Sequence, residues 1–399
     1  MARFSGLTTR GRCLLAGGAA TAACSVVLDE RDLLRIGAFV MLLPLLAALL
    51  AARTRRMVRV TRELSPARLS VGGPVEVDLH IRGSALVGAL RLADTVPDAA
   101  GPMAGAWPRF TVHRLSGRDG AHLSYPLRPL VRGVHAIGPL HAAMTDPLAL
   151  AEFERTIAGP DRLTVLPRVF ALHGLPAAVG AGEGTSGAAL AHQGQGSSDV
   201  LVRPYRHGDE MRRVHWRSTA RHDELMVRLE ERPWRAGTTV LLDRRDAAHR
   251  GRGADSSLEF AVSMAASICA HLIGRGEPVR LVTEDGTPLP EPGASGIDPV
   301  LDALAALRPS ARADLTGPDL PSGTDLIAVL GALSPGHHES LAARRPTGGY
   351  AVLLDTATWD PADGRPGSAD ASAHALRVAG WTAAVAVAGS SPDRVWEAL

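Results

Sequence analysis

The stretch from Asp199 to Glu231, DVLVRPYRHGDEMRRVHWRSTARHDELMVRLEE, concentrates Arg, His and Trp as no other part of the chain does. Guanidinium forks bind carboxylates and phosphates through two parallel hydrogen bonds, so such a cluster is chemistry in search of an anion. His207-Gly208 reads as a turn, Asp209 as the cap of a helix running to about Arg221, and Glu210 as an acid placed against the positive end of that helix. Four-residue spacing puts Arg213, Arg217 and Arg221 on one face, with Arg212, Trp216 and Ala220 in the adjacent row and Met211 with Val214 in a third. One reading is a basic docking face for an acidic partner or for anionic lipid headgroups. The other is an internal lattice in which Arg203 or Arg212 holds Asp209, Glu224 or Glu230; the many acids of the same segment favour it. Trp216 reads as core. His215 could titrate or bind metal, but a lone His beside a Trp reads first as a packed, satisfied side chain. A DNA recognition helix lacks the partner helix at turn spacing that such a unit needs.

Other chemistry-bearing residues are sparser. The Gly-rich residues 179–198 contain glycines spaced loosely like a phosphate loop, but they follow no strand and open no helix, so they read as a linker. A hydrolase built on Asp243, Asp355 and His249 or His337 would lack a nucleophile elbow, an HExxH pair and a nucleotide loop. Cys13, Cys24 and Cys269 form no CxxC pair or zinc spacing. The expectation is a protein that is not an enzyme and holds no cofactor or metal.

The elements that would position these residues begin at a membrane. Residues 13–28 and 33–52 are two apolar runs separated by Asp29-Glu30-Arg31-Asp32, which predicts a helical hairpin. A cleaved signal peptide followed by a stop-transfer helix is the competing reading. Arg3, Arg10 and Arg12 precede the first run and Arg53, Arg55, Arg56, Arg59 and Arg62 follow the second, so both flanks are expected in the cytoplasm. A two-pass protein of the cell membrane results, with its N-terminus and large C-terminal region inside. Arg and Lys together number 43 against 41 acids, and all 43 are Arg. That balance gives no whole-chain electrostatic reason to expect nucleic acid.

Residues 57–172 alternate short apolar-periodic runs with Gly and Pro turns, for example Val75 to Ile81 and His122 to Leu127, which predicts a β-sandwich-like domain. Residues 173–198 form the linker and 199–236 the Arg-rich segment, whose run from Leu225 would be a strand. Residues 237–399 alternate strands and helices, and right-handed crossovers then require a doubly wound parallel sheet. The expected fold class is therefore α/β behind a transmembrane helical hairpin (residues 1–56) and a β-rich domain.

The string R-P-Y-R-H-G-D-E-M-R-R-V-H-W-R-S-T-A-R resembles the defining motif of the DUF58 family of bacterial membrane proteins, carried by Arg203, Tyr205, Gly208, Asp209, Arg212, His215, Trp216, Ala220 and Arg221. Upstream, RGVHAIGP from Arg132 to Pro139 and Asp146-Pro147-Leu148-Ala149-Leu150 look like the family's R-G-x-H-x-x-G-P and D-P-F-G-L elements, with Leu148 and Ala149 in place of Phe and Gly. The resemblance implies a C-terminal domain of von Willebrand factor A type and a working association with MoxR-type AAA+ ATPases, often beside transglutaminase-like membrane proteins. A metal-binding domain of that type presents D-x-S-x-S after its first strand, because Mg²⁺ takes oxygen ligands at near-octahedral positions. Here the place reads Asp243-Arg244-Arg245-Asp246-Ala247, and Gly331-Ala332 stands where a further Asp would be expected. Asp243 thus marks a degenerate metal site. The implied role is a membrane-anchored scaffold or adaptor in complex assembly or envelope processes; the alternative is a ligand-binding module using the strand ends around Asp243.

Overall fold

The structure is a computed structural model, and it describes residues 6–55, 58–83, 89–100, 108–113, 120–176, 202–204, 219–220, 226–228, 237–290, 296–317, 324–344, 348–363 and 369–399. The chain divides into two compact units. The first holds residues 1–168 with 252–254 and 301–307, and the second holds the rest.

The first unit opens with α1 (Thr9–Leu28) and α2 (Arg31–Arg55). Thr8 caps α1 by accepting from the Gly11 N–H, and Asp29 ends it in the left-handed conformation at φ 52°. Both helices are long and apolar enough to cross a membrane. They pack through glycines: a Cβ at Gly18 would lie 2.7 Å from Met41 Cγ, and one at Gly37 would lie 2.8 Å from the Ala22 nitrogen. Small residues at such a seam let backbones approach where no hydrophobic drive separates helix from lipid.

Ten strands follow: β1 (Arg59–Ser65), β2 (Arg68–Ser70), β3 (Val75–Arg82), β4 (Ala89–Asp94), β5 (Arg109–Val112), β6 (Ala121–Leu127), β7 (Gly133–Ile137), β8 (Leu140–Thr145), β9 (Glu152–Ala158) and β10 (Asp161–Leu166). They pair as β1-β3-β6, β2-β10-β7 and β5-β4-β8-β9, antiparallel except for β2 with β10. In β3 the side chains of Val75, Val77, Leu79 and Ile81 turn inward at two-residue spacing, the pattern that forces one face of a sheet onto a core. One continuous core joins them to Leu90, Leu92, Tyr125, Ile137, Leu140 and Leu163.

Within that core lies a charge. Arg62 occupies an inward position of β1 and is fully covered, as is Asp94, whose two oxygens accept from Arg62 Nη2 at 2.6 Å and Nε at 3.0 Å. The Tyr125 hydroxyl donates to the same carboxylate at 2.6 Å, and Arg62 Nη1 reaches Asp161 and the carbonyls of Ile137 and Gly159. Arg62 is therefore a core side chain rather than one of the charges flanking the membrane exit, which corrects its place in the sequence reading. Gly138, at φ +109°, is the close approach that permits this: a Cβ there would lie 2.8 Å from Arg62 Nη2.

The second unit carries β11 (Val202–Pro204) paired antiparallel with β12 (Met226–Arg228). The strand expected from Leu225 thus exists, and it pairs with β11. Then come β13 (Thr238–Leu242), α3 (Ser257–Gly274), β14 (Val279–Thr283), β15 (Pro288–Leu289), α4 (Asp298–Ala306), of which residues 301–306 count with the first unit, β16 (Asp325–Leu330), α5 (Pro335–Arg344), β17 (Tyr350–Leu354), α6 (Ala369–Val378), β18 (Thr382–Ala386) and α7 (Pro392–Glu397). The sheet order is β15-β14-β13-β16-β17-β18, parallel but for β15. Helix α3 packs on β13, β14 and β16, and α6 on β17 and β18. Although α3 also has the length and apolarity of a membrane span, its Leu258, Val262, Ala265, Ile268 and Cys269 are buried, as in a core helix.

Replacing Asp94 with Asn leaves a buried guanidinium facing a neutral amide, and should destabilise the first unit by about 3 kcal/mol. Tyr125→Phe, which removes one hydrogen bond, should cost about 1 kcal/mol. Urea unfolding of the full chain in detergent checks both; equal losses would show that the ion pair carries no special weight.

Candidate functional site

Among the parallel strands the order runs second, first, third, fourth, fifth, so the chain reverses direction of winding between β13 and β16. In open α/β sheets that reversal leaves a crevice outside the carboxyl ends of the strands, where ligands bind. Asp243 ends β13 at this point, fully buried, with its backbone N–H donating to the Val329 carbonyl of β16 at 2.9 Å.

The crevice is filled from within. Arg245 folds back over Asp243, Nε donating to Oδ1 at 2.9 Å and Nη2 to Oδ2 at 2.8 Å. The Arg245 backbone N–H adds a bond to Oδ1 at 3.1 Å, and the Gly331 N–H, from the end of β16, donates to Oδ2 at 3.2 Å. Nη1 donates to the Ala313 carbonyl, Nη2 to the Ala332 carbonyl, and Nη1 lies 3.3 Å from both ring nitrogens of His337. Four donors therefore meet the two carboxylate oxygens. The guanidinium is more than a repelling neighbour for a cation; it sits as the cation, bidentate and only 4% exposed in its side chain. Asp243 has no oxygen left to offer Mg²⁺, so the residues present do not fit a hydrated divalent ion. Among the described residues no group of three or more His, Cys, Asp or Glu could hold a metal.

Gly331 explains the missing Asp on the neighbouring strand. A Cβ there would meet the Ala248 carbonyl oxygen at 2.3 Å, while the Ala332 N–H bonds that same carbonyl at 2.8 Å. The loop after β13 presses on the end of β16 too closely for a side chain, and in exchange the Gly331 N–H is free to serve Asp243.

Arg244 turns the other way, to Glu284 at the end of β14, with Nε 3.1 Å from Oε2. Glu284 is fully buried, and its Oε1 has no hydrogen-bond partner among the described residues. Burial would raise the neighbouring Asp285 carboxyl, but hydrogen bonds from Thr283 and Thr287 and the charge of Arg244 bring it down to about 2. Asp355, at the end of β17, keeps a buried Oδ1 without a partner among the described residues.

His249 is a supporting member rather than a base. Its Nε2 lies 2.8 Å from the Asp243 carbonyl, which can only accept, so Nε2 carries the proton and Nδ1 receives the Ser257 hydroxyl at 3.1 Å. Desolvation lowers its pKa, with Arg245 adding to the effect against Asp243 and Asp246. His337 is likewise lowered by desolvation and then by Arg245, and its Nδ1 accepts from the Ser334 N–H at 3.2 Å. Asp243 and His337 thus meet at Arg245, His249 reaches Asp243 only through its backbone carbonyl, and Asp355 stands apart on β17.

Of the signature residues, Arg203 lies on β11, and Thr219-Ala220 are helical. Tyr205, Gly208, Asp209, Arg212, Arg213, His215, Trp216, Arg217 and Arg221 lie outside the described residues, as does the linker from 177 to 198. The upstream motifs are fully placed in the first unit. The Asp146 carboxylate accepts from the N–H groups of Leu148, Leu150 and Ala151, and Ala149 takes a left-handed φ of 55° where the family's usual Gly would sit unstrained. The sequence reading missed Arg245 as a ligand and Arg62 as a core residue. For Arg62 a signal existed, since it is in phase with Val60 and Leu64 on the inward face of β1.

Arg245→Ala should bare a buried carboxylate and lower the stability of the second unit by about 3–5 kcal/mol. Millimolar Mg²⁺ should restore part of that loss while leaving the wild type unmoved, read as the shift in thermal unfolding; an equal shift in both would refute the internal-cation arrangement. The folded His249 resists a proton that the unfolded chain accepts, so stability should be full above pH 6.5 and fall as pH drops below it. The slope attributable to one such group is at most about 1.4 kcal/mol per pH unit, and His249→Gln should flatten the loss between pH 7.5 and 5.5.

No curated protein matches this chain. Among solved structures, the superoxide reductase (neelaredoxin) from Ignicoccus hospitalis is 11% identical, with 29% of this chain and 86% of that one covered and a TM-score of 0.16. An alkylpurine DNA glycosylase from Pseudomonas fluorescens is 12% identical over 34% of this chain and 39% of that one, TM-score 0.17. The sporulation control protein Spo0M from Bacillus subtilis is 16% identical over 27% and 49%, TM-score 0.14. Likenesses this slight carry nothing about fold or function. Residues 201–334 match the model described as protein of unknown function DUF58, a span that runs from the Arg-rich segment to just past Gly331 and so takes in Asp243, Arg245, Ala313, Gly331 and Ala332: the chain carries a DUF58-family domain.

Proposed function

We propose that this chain is a two-pass membrane protein whose α/β unit, of von Willebrand factor A type, serves in the cytoplasm as a non-catalytic scaffold or adaptor. The observation that carries the reading is the guanidinium of Arg245 on Asp243: the crevice where such a sheet takes a ligand is already charge-balanced and hydrogen-bonded. What then remains for recognition is surface. The Arg-rich segment with Arg213, Arg217 and Arg221, which lies outside the described residues, is the part of the sequence chemically suited to an acidic partner. A MoxR-type AAA+ ATPase, alone or with a transglutaminase-like membrane protein, is the partner the family resemblance suggests. Complex assembly and envelope processes are the roles that go with it.

Anchoring is supported by α1 and α2, and an inward-facing body by the Arg residues on both flanks of the hairpin. Removing Arg62 from that count leaves Arg53, Arg55, Arg56 and Arg59 on the second flank, so the charge bias keeps its sign. A second reading, a ligand-binding module at the strand ends, is favoured by one observation, the unpartnered buried Oδ1 of Asp355. Hydrolysis has less to recommend it, since His249 is spent on the Asp243 carbonyl and Ser257.

A pull-down from native membranes tests the proposal with three forms of the intact chain: wild type, the triple variant Arg213→Ala, Arg217→Ala, Arg221→Ala, and Asp243→Asn. The scaffold reading expects an ATPase to be recovered with wild type and Asp243→Asn, and recovery to drop at least tenfold with the triple variant. Loss confined to Asp243→Asn would favour the ligand module. Equal recovery with a less stable triple variant would assign those arginines to an internal lattice.

A further inference from the structure

The two helices do not simply tether the β domain; one turn of that domain is built against them. The Thr8 N–H donates to the Leu150 carbonyl at 2.9 Å, and the Thr8 hydroxyl to the Ala149 carbonyl at 2.7 Å. The Glu152 N–H donates to the Gly6 carbonyl at 3.0 Å, and Leu7 forms an isolated bridge with Ala151. Gly11 allows the contact, because a Cβ there would lie 2.1 Å from the Leu150 oxygen. From the other helix Leu43, Ala47 and Ala48 pack with Leu150, Ala151 and Phe153.

These contacts fix a depth. Gly18 meets Gly37 and Met41 near the middle of the two apolar spans, Thr9–Leu28 and Arg31–Leu49. Gly11 lies seven residues from Gly18, or about 10 Å along the axis at 1.5 Å per residue. The hydrocarbon core extends roughly 15 Å to either side of its midplane. Leu43, Ala47 and Ala48 belong to the apolar window of α2 itself. The Asp146–Ala151 turn therefore stands about 5 Å inside the boundary between hydrocarbon and headgroups, with the exposed Arg10 and Arg12 of α1 beside it.

Its construction suits that place. Irregular backbone tolerates low water only if its polar groups are answered internally. Asp146 takes the N–H groups of Leu148, Leu150 and Ala151, the Ala149 N–H bonds the Asp146 carbonyl, and the carbonyls of Ala149 and Leu150 are taken by Thr8. Pro147 has no N–H to satisfy. Yet Leu148, at the tip, is 59% exposed. An apolar side chain on a turn whose N–H groups are answered internally, beside two helices that can span a membrane, has lipid as its natural neighbour.

We propose that the Asp146–Ala151 turn is an interfacial foot, seating the β domain in the bilayer surface with Leu148 among the lipid chains. The proposal rests on the membrane reading of α1 and α2, and the test separates the two. Leu148→Cys, made in the full chain with Cys13→Ala and Cys24→Ala, is spin-labelled in vesicles of phosphatidylcholine and phosphatidylglycerol; Cys269 is buried. A second sample carries the label on Cys24 with Cys13→Ala. Collision rates with oxygen, which partitions into lipid, are compared with those of a water-soluble nickel chelate. Oxygen should dominate at both positions. Oxygen at Cys24 with chelate at position 148 would overturn the foot and leave the anchor standing. Chelate at both would overturn both.

Discussion

A carboxylate taken out of water must have its charge answered, and in this protein each such answer fixes a piece of architecture. Asp94 is answered by Arg62 and by the Tyr125 hydroxyl, which ties β1, β4 and β6 of the first unit into one core. Asp243 is answered by Arg245 and by the Gly331 N–H, which ties the first and third parallel strands of the second unit at their winding reversal. Asp146 is answered by backbone N–H groups alone and shapes a turn. Replacing a buried ion pair by apolar side chains is often neutral for stability, whereas removing one partner is costly. Such pairs therefore hold an arrangement through the penalty of losing one partner rather than through a net gain in stability.

That distinction bears on the α/β unit. A sheet of this order places its ligand crevice where Asp243 lies, and an external cation would make occupancy depend on concentration. A guanidinium two residues away makes the same charge compensation intramolecular and permanent. The end of the sheet is held in one state, with no ion required to organise it. For a module that presents a surface, constancy of this kind is an advantage; for one that must sense a ligand it would be a handicap.

Much of the architecture was legible beforehand because local pattern and tertiary role coincide in it. The two apolar helices, the inward alternation of Val75 to Ile81, and the buried strands ending at Leu242, Leu330 and Leu354 all follow from periodicity. Helix α5 did not, since Pro335-Gly336-His337-His338-Glu339 has a polar, weakly periodic start, and α7 and β15 are too short to show a period. At the candidate site, the loss of the metal-ligating hydroxyls was readable from Arg245 and Ala247, but the fold-back of Arg245 was not: it depends on Ala313, Ala332 and His337, far away in sequence. The docking of Thr8 on Leu150 spans 142 positions and leaves no local trace.

The connection between α1 and α2 is two residues long, Asp29 and Glu30, and closes in a left-handed turn. Where α1 and α2 cross a bilayer, a hairpin so tight would expose on the far side little more than a pair of carboxylates, too small a surface to grip a ligand or a protein. Both helix ends that carry information return to the side of the β domain, where Gly6 to Thr8 and Val58 meet its strands. A hairpin that spans in this way would leave recognition to the side of the bilayer that carries the β domain. An anchor of this design would supply position, holding the β domain at the surface of a bilayer.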